Sequence, residues 1–281
     1  MRGIVKAFVF LAVFVLSAGT LHAGYIRIEP EILPVVTDDK IEITINIVNK
    51  GNEKSLDVQA ELSIGNTSVS SEKISVLEPG KPHKWTFSVN RADAGIVARG
   101  LYPLSVLTVY HDANYYPFSM PTVVSVHVGV VADKMKTRPV EMELAVSAIY
   151  ETGQISLTLI NKSPREISGR YSLVLPKELE AAAATAGFGI AANGRSKHLF
   201  DIVNKGALPG SSYRVFGIAE FDDAETAAHD GVVLSNMVEI MKFKGSEILF
   251  RRQVIMGIAL MAVLLLIVLR IELGGFKRNE T

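Results

Sequence analysis

Cysteine is absent from all 281 residues. The chain therefore has no disulfide staple, no thiolate metal site and no cysteine nucleophile. A surplus of charge is missing as well: 29 Lys and Arg balance 29 Asp and Glu, for a formal net charge of zero. Without a basic excess there is no electrostatic footprint for nucleic acid, and no acidic tail points to a solvating role. Catalytic signatures are also lacking. No Gly-x-Ser-x-Gly elbow, His-Glu-x-x-His pair or phosphate-cradling glycine loop occurs. The expectation is a protein that is not an enzyme and uses no cofactor.

Two apolar runs bracket the chain. Arg2 and Lys6 precede the run Ala7 to Leu16, and Leu21-His22-Ala23 offers a small residue for cleavage before Gly24. This order of charge, apolar run and small residue is that of a secretory signal peptide over 1–23. Val254 to Leu269 forms the second run, flanked by Arg251-Arg252 and Arg270. As a helix its sixteen residues reach only ~24 Å against a hydrocarbon core of ~30 Å, a gap that snorkelling of Arg252 and Arg270 or extension through Ile248, Leu249 and Phe250 can close. The reading is a transmembrane helix over 253–271, a juxtamembrane segment over 243–252 and a cytoplasmic tail over 272–281. Within the span no residue is ionisable, which suits an anchor better than a transport path. The residues between the runs form the exported part. The lack of disulfides in an exported chain tilts the source towards bacteria, with the ectodomain in the periplasm or outside the cell.

Between the runs the sequence reads as strands. Ile41, Ile43, Ile45 and Ile47 alternate with polar residues and end at Asn49-Lys50-Gly51-Asn52. Alternation of period two marks a half-buried strand, and the polar cluster marks a turn. Ile155, Leu157 and Leu159 repeat the pattern, closing at Asn161-Lys162-Ser163-Pro164. Further pairs follow in order: Trp85, Phe87 and Val89 with His198, Phe200 and Ile202, then Tyr102 to Tyr110 with Tyr213 to Phe221. The offset is 112 from Asn49 to Asn161, 113 from Phe87 to Phe200 and 111 from Tyr102 to Tyr213. A nearly constant offset over separate strands points to tandem duplication. The expected fold is all-β: two tandem Ig-like antiparallel sandwiches over 24–131 and 140–242, joined by a linker over 132–139. Tyr102 and Tyr213 are expected tyrosine corners. The Ala- and Glu-rich stretch from Pro176 to Ala184 predicts a short helix crossing between sheets.

The order alternating strand, Asn-x-Gly turn, Leu then Pro-Gly, aromatic strand and Gly-x-Tyr strand resembles bacterial CARDB-type and related envelope Ig-like modules. In this chain the pieces are Ile41–Val48, Asn49-Lys50-Gly51, Leu77-Glu78-Pro79-Gly80, Trp85–Val89 and Gly100-Leu101-Tyr102. The second copy departs from the pattern, with Ser163 in place of the turn glycine and Asn193-Gly194 in place of Pro-Gly. The layout of signal, two Ig-like units, one span and a short basic tail is similar to WxL-interacting proteins of Gram-positive cell walls. The resemblance implies a fold and an envelope setting, not a ligand.

Two loops hold the candidate functional residues. After the Tyr102–Tyr110 strand come His111, Asp112, Asn114, Tyr115 and Tyr116, aromatic rings beside hydrogen-bonding groups that suit protein or sugar recognition. The matching loop of the second copy carries Asp222, Asp223 and Glu225, a carboxylate cluster that calcium would require but without EF-hand spacing. No zinc spacing is present. The leading expectation is a non-enzymatic cell-envelope protein, held in the membrane by its C-terminal helix, that binds another envelope protein or a polymer. Nucleic acid is not an expected partner. Two alternatives stay open: a membrane-tethered assembly chaperone using an exposed strand such as Val123–Val128, and a carbohydrate-binding module using Tyr115 and Tyr116.

Overall fold

The computed structural model describes residues 24–129, 138–223, 227–242 and 252–261. Outside the described residues lie the segment expected to be a signal peptide, most of the linker, Glu225, nearly all of the expected juxtamembrane segment, the expected span from 262 onward and the expected cytoplasmic tail. Sixteen strands make the described part all-β. By contacts it divides into two compact units, one of residues up to Val97 with Val106–Thr122, the other of Ala98–Ser105 with the residues from Val123 on.

In the first unit one layer is the sheet β1(Ile28–Val36), β2(Lys40–Asn49), β6(Pro82–Asn90), in that order. The other is built on β3(Ser55–Ile64). It carries β4(Thr67–Ser70) and β5(Ile74–Leu77), followed by residues from Val106 on of β7(Gly100–His111), with residues up to Thr122 of β8(Pro117–Val128) beside them; Gly100–Ser105 and Val123–Val128 belong to the second unit. Alternation explains why these layers face each other. Ile41, Ile43, Ile45 and Ile47 of β2 and Val58, Ala60, Leu62 and Ile64 of β3 are all buried, while their neighbours along each strand are not. Burying each large apolar side chain of these rows stabilises the fold by roughly 1.5–3 kcal/mol.

The second unit repeats this plan. One layer is β9(Val140–Val146), β10(Thr152–Asn161), β14(Arg195–Asn204) and β12(Leu179–Ala181), in that order. The other orders β13(Thr185–Ile190), β11(Ile167–Val174), β15(Ser212–Asp223) and β16(Ala228–Glu239). Here the duplication is visible in the pairing register. Ile45 stands opposite Trp85 and Ile32, as Leu157 stands opposite His198 and Leu144; Ile43 faces Phe87 as Ile155 faces Phe200.

Two buried polar devices are also duplicated. Asn49 is fully buried, and its amide donates to the carbonyls of Glu53 (2.7 Å) and Leu77 (3.4 Å) while its Oδ1 accepts the Gly51 N–H (2.9 Å). Asn161 donates to Arg165 (2.6 Å) and Ile190 (3.1 Å) and accepts from Ser163 (2.9 Å). Each partner lies 112 or 113 residues after its counterpart (Gly51 to Ser163, Glu53 to Arg165, Leu77 to Ile190). The exchange of Gly51 for Ser163 has a local cause. A side chain at 51 would strike the Tyr25 carbonyl, whereas the Ser163 hydroxyl donates to Arg165 O at 2.9 Å. The second device is the tyrosine corner: Tyr102 Oη donates to Ala98 O (3.0 Å), and Tyr213 Oη accepts the Leu208 N–H (3.1 Å).

The copies differ at the strand after β3 and β11. In the first, Gly65-Asn66 turns the chain back so that β4 pairs with β3; Gly65 has φ 54, and a Cβ there would meet the Ala94 carbonyl. In the second, Pro176 ends the run, because proline cannot donate to a continuing ladder. The chain crosses instead, and Leu179–Ala181 pairs with Asn204–Ile202 of β14. The helix expected from Pro176 to Ala184 is therefore a crossing strand. Pairing with β14 outweighs the helix propensity of alanine and glutamate, which is at most a few tenths of a kcal/mol per residue.

One helix, over 252–261, is described. Its apolar side chains are open, with Met256 71% and Met261 72% exposed. No helix of the described residues is long and apolar enough to cross a membrane.

Candidate functional site

The β7–β8 connection holds the first candidate set. Asp112 organises it: its Oδ1 accepts the N–H of Asn114 (2.9 Å) and of Tyr116 (2.8 Å), and its carbonyl accepts the Tyr115 N–H (3.0 Å). A carboxylate that gathers two backbone donors closes a turn and is largely consumed in doing so. The turn forces Tyr115 into the left-handed region at φ 60, a conformation costly for a residue with a Cβ. Tyr115 is 66% exposed and offers its ring to solvent at the tip. The Asn114 side chain is exposed beside it.

Tyr116 is placed differently. Its ring leans on Phe118 (5.2 Å, 57°), which stacks on Tyr110 (5.5 Å, 19°), forming an aromatic ladder along the hairpin. Such pairs add about 0.5–1.5 kcal/mol each beyond area burial, so Tyr116 has a packing role. His111 is half-buried. Its ring centroid lies 6.1 Å from that of Tyr115, and its Nδ1 lies 3.9 Å from Asp57 Oδ2. The loop thus unites all five expected residues, but it divides them into an exposed tip of Asn114 and Tyr115 and a supporting frame of His111, Asp112 and Tyr116.

The carboxylate loop of the second unit has another character. Glu225 lies outside the described residues. Asp222 Oδ1 sits 3.0 Å from His229 Nδ1, and His229 Nε2 lies 3.4 Å from Glu220 Oε1. Arg170 Nη2 reaches Glu220 Oε2 at 3.2 Å. The His229 ring stacks on Tyr102 at 4.3 Å and 13°. Burial opposes protonation of His229, but the hydrogen bonds and charges of Glu220 and Asp222 outweigh it and raise its pKa. For Glu220, burial is likewise outweighed, here by His229 and Arg170, and its pKa is lowered. Next to it, burial holds the Asp230 carboxyl above its ordinary range. Asp222 is thus a partner of a histidine, and among the described residues no three His, Asp or Glu side chains are arranged so that they could hold a metal ion. Nothing in the sequence points to Glu220, Arg170 and Tyr102 gathering around His229. Arg170, Glu220 and His229 converge through pairing across β11, β15 and β16, for which no local pattern exists.

Residues 29–112 match the CARDB family model. CARDB is a bacterial Ig-like family, and the match ends within the loop that carries Tyr115. No curated protein matches the chain. Among solved structures it is similar to red sea bream transglutaminase, at 12% identity and a TM-score of 0.26, covering 83% of this chain and 33% of that one. Trypsin-activated alpha-2-macroglobulin from Escherichia coli gives 11% identity, a TM-score of 0.32, and coverage of 77% and 18%. The YadV chaperone gives 15% identity, a TM-score of 0.28, and coverage of 69% and 92%. The chain spans about a third of the transglutaminase and under a fifth of the macroglobulin. Likeness at this level says nothing of activity or partners.

Proposed function

We propose that the chain is a non-enzymatic, membrane-anchored protein of a bacterial cell envelope, which presents two Ig-like sandwiches (24–131 and 140–242) to bind another envelope protein or a polymer. The observation that carries this reading is Tyr115, an exposed aromatic held at φ 60 on the hairpin tip of a CARDB-type unit. Strain kept at an exposed position is spent on presenting a side chain, since it adds nothing to the core. The typically non-catalytic character of the family and the absence of catalytic motifs support the non-enzymatic part.

Anchoring rests on the apolar run Val254 to Leu269 and on the exposure of Ile255, Met256, Ile258, Leu260 and Met261, apolar side chains that a water-facing helix would not display together. The signal-like start supports a setting of the sandwiches on the outer side of the inner membrane. Crosslinking pull-down from native membranes tests the function. A specific envelope protein or glycan retained by the native chain and lost with Tyr115→Ala supports the reading. Equal retention by both chains refutes the role of the tip.

A further inference from the structure

The two copies treat one sheet edge in opposite ways. In the second unit β12 covers the outer edge of β14, pairing Leu179–Ala181 with Asn204–Ile202. In the first unit the equivalent strand β4 pairs with β3, so among the described residues β6 has β2 on one side and no strand on the other. A strand edge left uncovered presents a row of unpaired N–H and C=O groups. Beside it, the edges of β5 and β6 enclose a groove of about 540 Å³. Lys73, Ile74, Val76, Lys81, Pro82 and His83 line it, with Glu78 the single carboxylate. Lys84, next along β6, is also exposed.

We infer that the β6 edge of the first unit is a docking surface for an extended acidic polypeptide segment, which adds to the sheet as a further strand. The free edge calls for a polypeptide, because only a backbone can answer a row of alternating donors and acceptors. Two lysines line the groove against one carboxylate, and with Lys84 next along β6 they select acidic side chains for the solvent face. The apolar edge formed by Ile74 and Val76, the latter 41% exposed, receives an apolar side chain from the segment's other face. The inference rests on the reading of the chain as a binding protein, and it names a surface other than the hairpin tip.

The test uses the full-length chain in detergent and a fluorescein-labelled peptide of sequence EVTVEVTE, followed by fluorescence anisotropy. The expected result is saturable binding, about tenfold weaker for KVTVKVTK, with that preference reversed in the K81E/K84E variant. A peptide N-methylated at alternate residues is expected to lose binding, because its edge ladder is removed. Tyr115→Gly should bind the peptide unchanged, so failure here is distinguishable from failure at the tip. Absence of binding overturns the inference. So does binding that N-methylation leaves intact, which would be charge attraction without strand addition. Self-association abolished by Thr86→Lys, with no peptide bound, would also overturn it by giving the edge to a second copy.

Discussion

Replacing Tyr115 with glycine separates the binding role from the stability of the hairpin. The native residue sits at φ 60, where a side chain costs about 1–2 kcal/mol relative to glycine. Its ring is 66% exposed, so truncation forfeits little buried surface. Against this, glycine gives the unfolded chain extra freedom, which costs about 0.5–1 kcal/mol. The balance is a stabilisation of about 0.5–1 kcal/mol, read as a higher urea midpoint at unchanged slope. Tyr116→Gly, one residue on, removes the contact with Phe118 and should lose at least about 1 kcal/mol instead. Tyr115→Gly should nevertheless abolish partner capture. A loss of more than 1 kcal/mol in Tyr115→Gly would show that the tyrosine is a structural residue, and the argument from stored strain would fail.

Three further outcomes follow from the buried polar groups. Asn161→Ala leaves the carbonyls of Arg165 and Ile190 and the Ser163 N–H without their partner, and should lower unfolding stability by about 2–4 kcal/mol; Asn49→Ala should match it within about 1 kcal/mol. The His229–Glu220 pair makes stability pH-dependent with a definite sign. His229, raised, contributes fully below about 6.5 and loses that contribution as pH climbs through its folded value, while Glu220, lowered, contributes above about 4.3 and loses it on acidification. His229→Gln should therefore flatten the decline of stability that sets in as pH rises above about 6.5 in denaturation series. Asp230 is buried, and its Oδ1 lacks a hydrogen-bond partner among the described residues. Because its pKa is raised, the native residue loses stability as pH rises, so Asp230→Asn should be more stable than the native chain at pH 7 by a margin that vanishes below about pH 4.

Much of the fold was legible because it is written in local alternation. The inward isoleucines of β2, the Asn49 and Asn161 turns and both tyrosine corners each follow from residues within a few positions of one another, and duplication stated each of them twice. The crossing strand β12 was not legible as a strand. Glu180 and Ala181 favour helix alone, and only the edge of β14, more than 20 residues on, decides otherwise.

Of the candidate site, the loop was legible and its division was not. Nothing in the run His111 to Tyr116 tells that Asp112 spends its carboxylate on backbone N–H groups, or that Tyr116 leans inward while Tyr115 leans out. That difference comes from a φ angle. The carboxylate cluster misled for the same reason in reverse: Asp222 reads as a metal-type ligand until His229 is brought beside it by the β15–β16 register.

The most direct test of a binding protein working through its hairpin tip is photocrosslinking in native membranes. A photoreactive phenylalanine analogue is placed at position 115 and, as a control, at the exposed Leu199 of β14. A discrete adduct with an envelope protein or glycan at 115, and none at 199, is the predicted result. Adducts at both positions alike, or lipid adducts alone, would contradict the account.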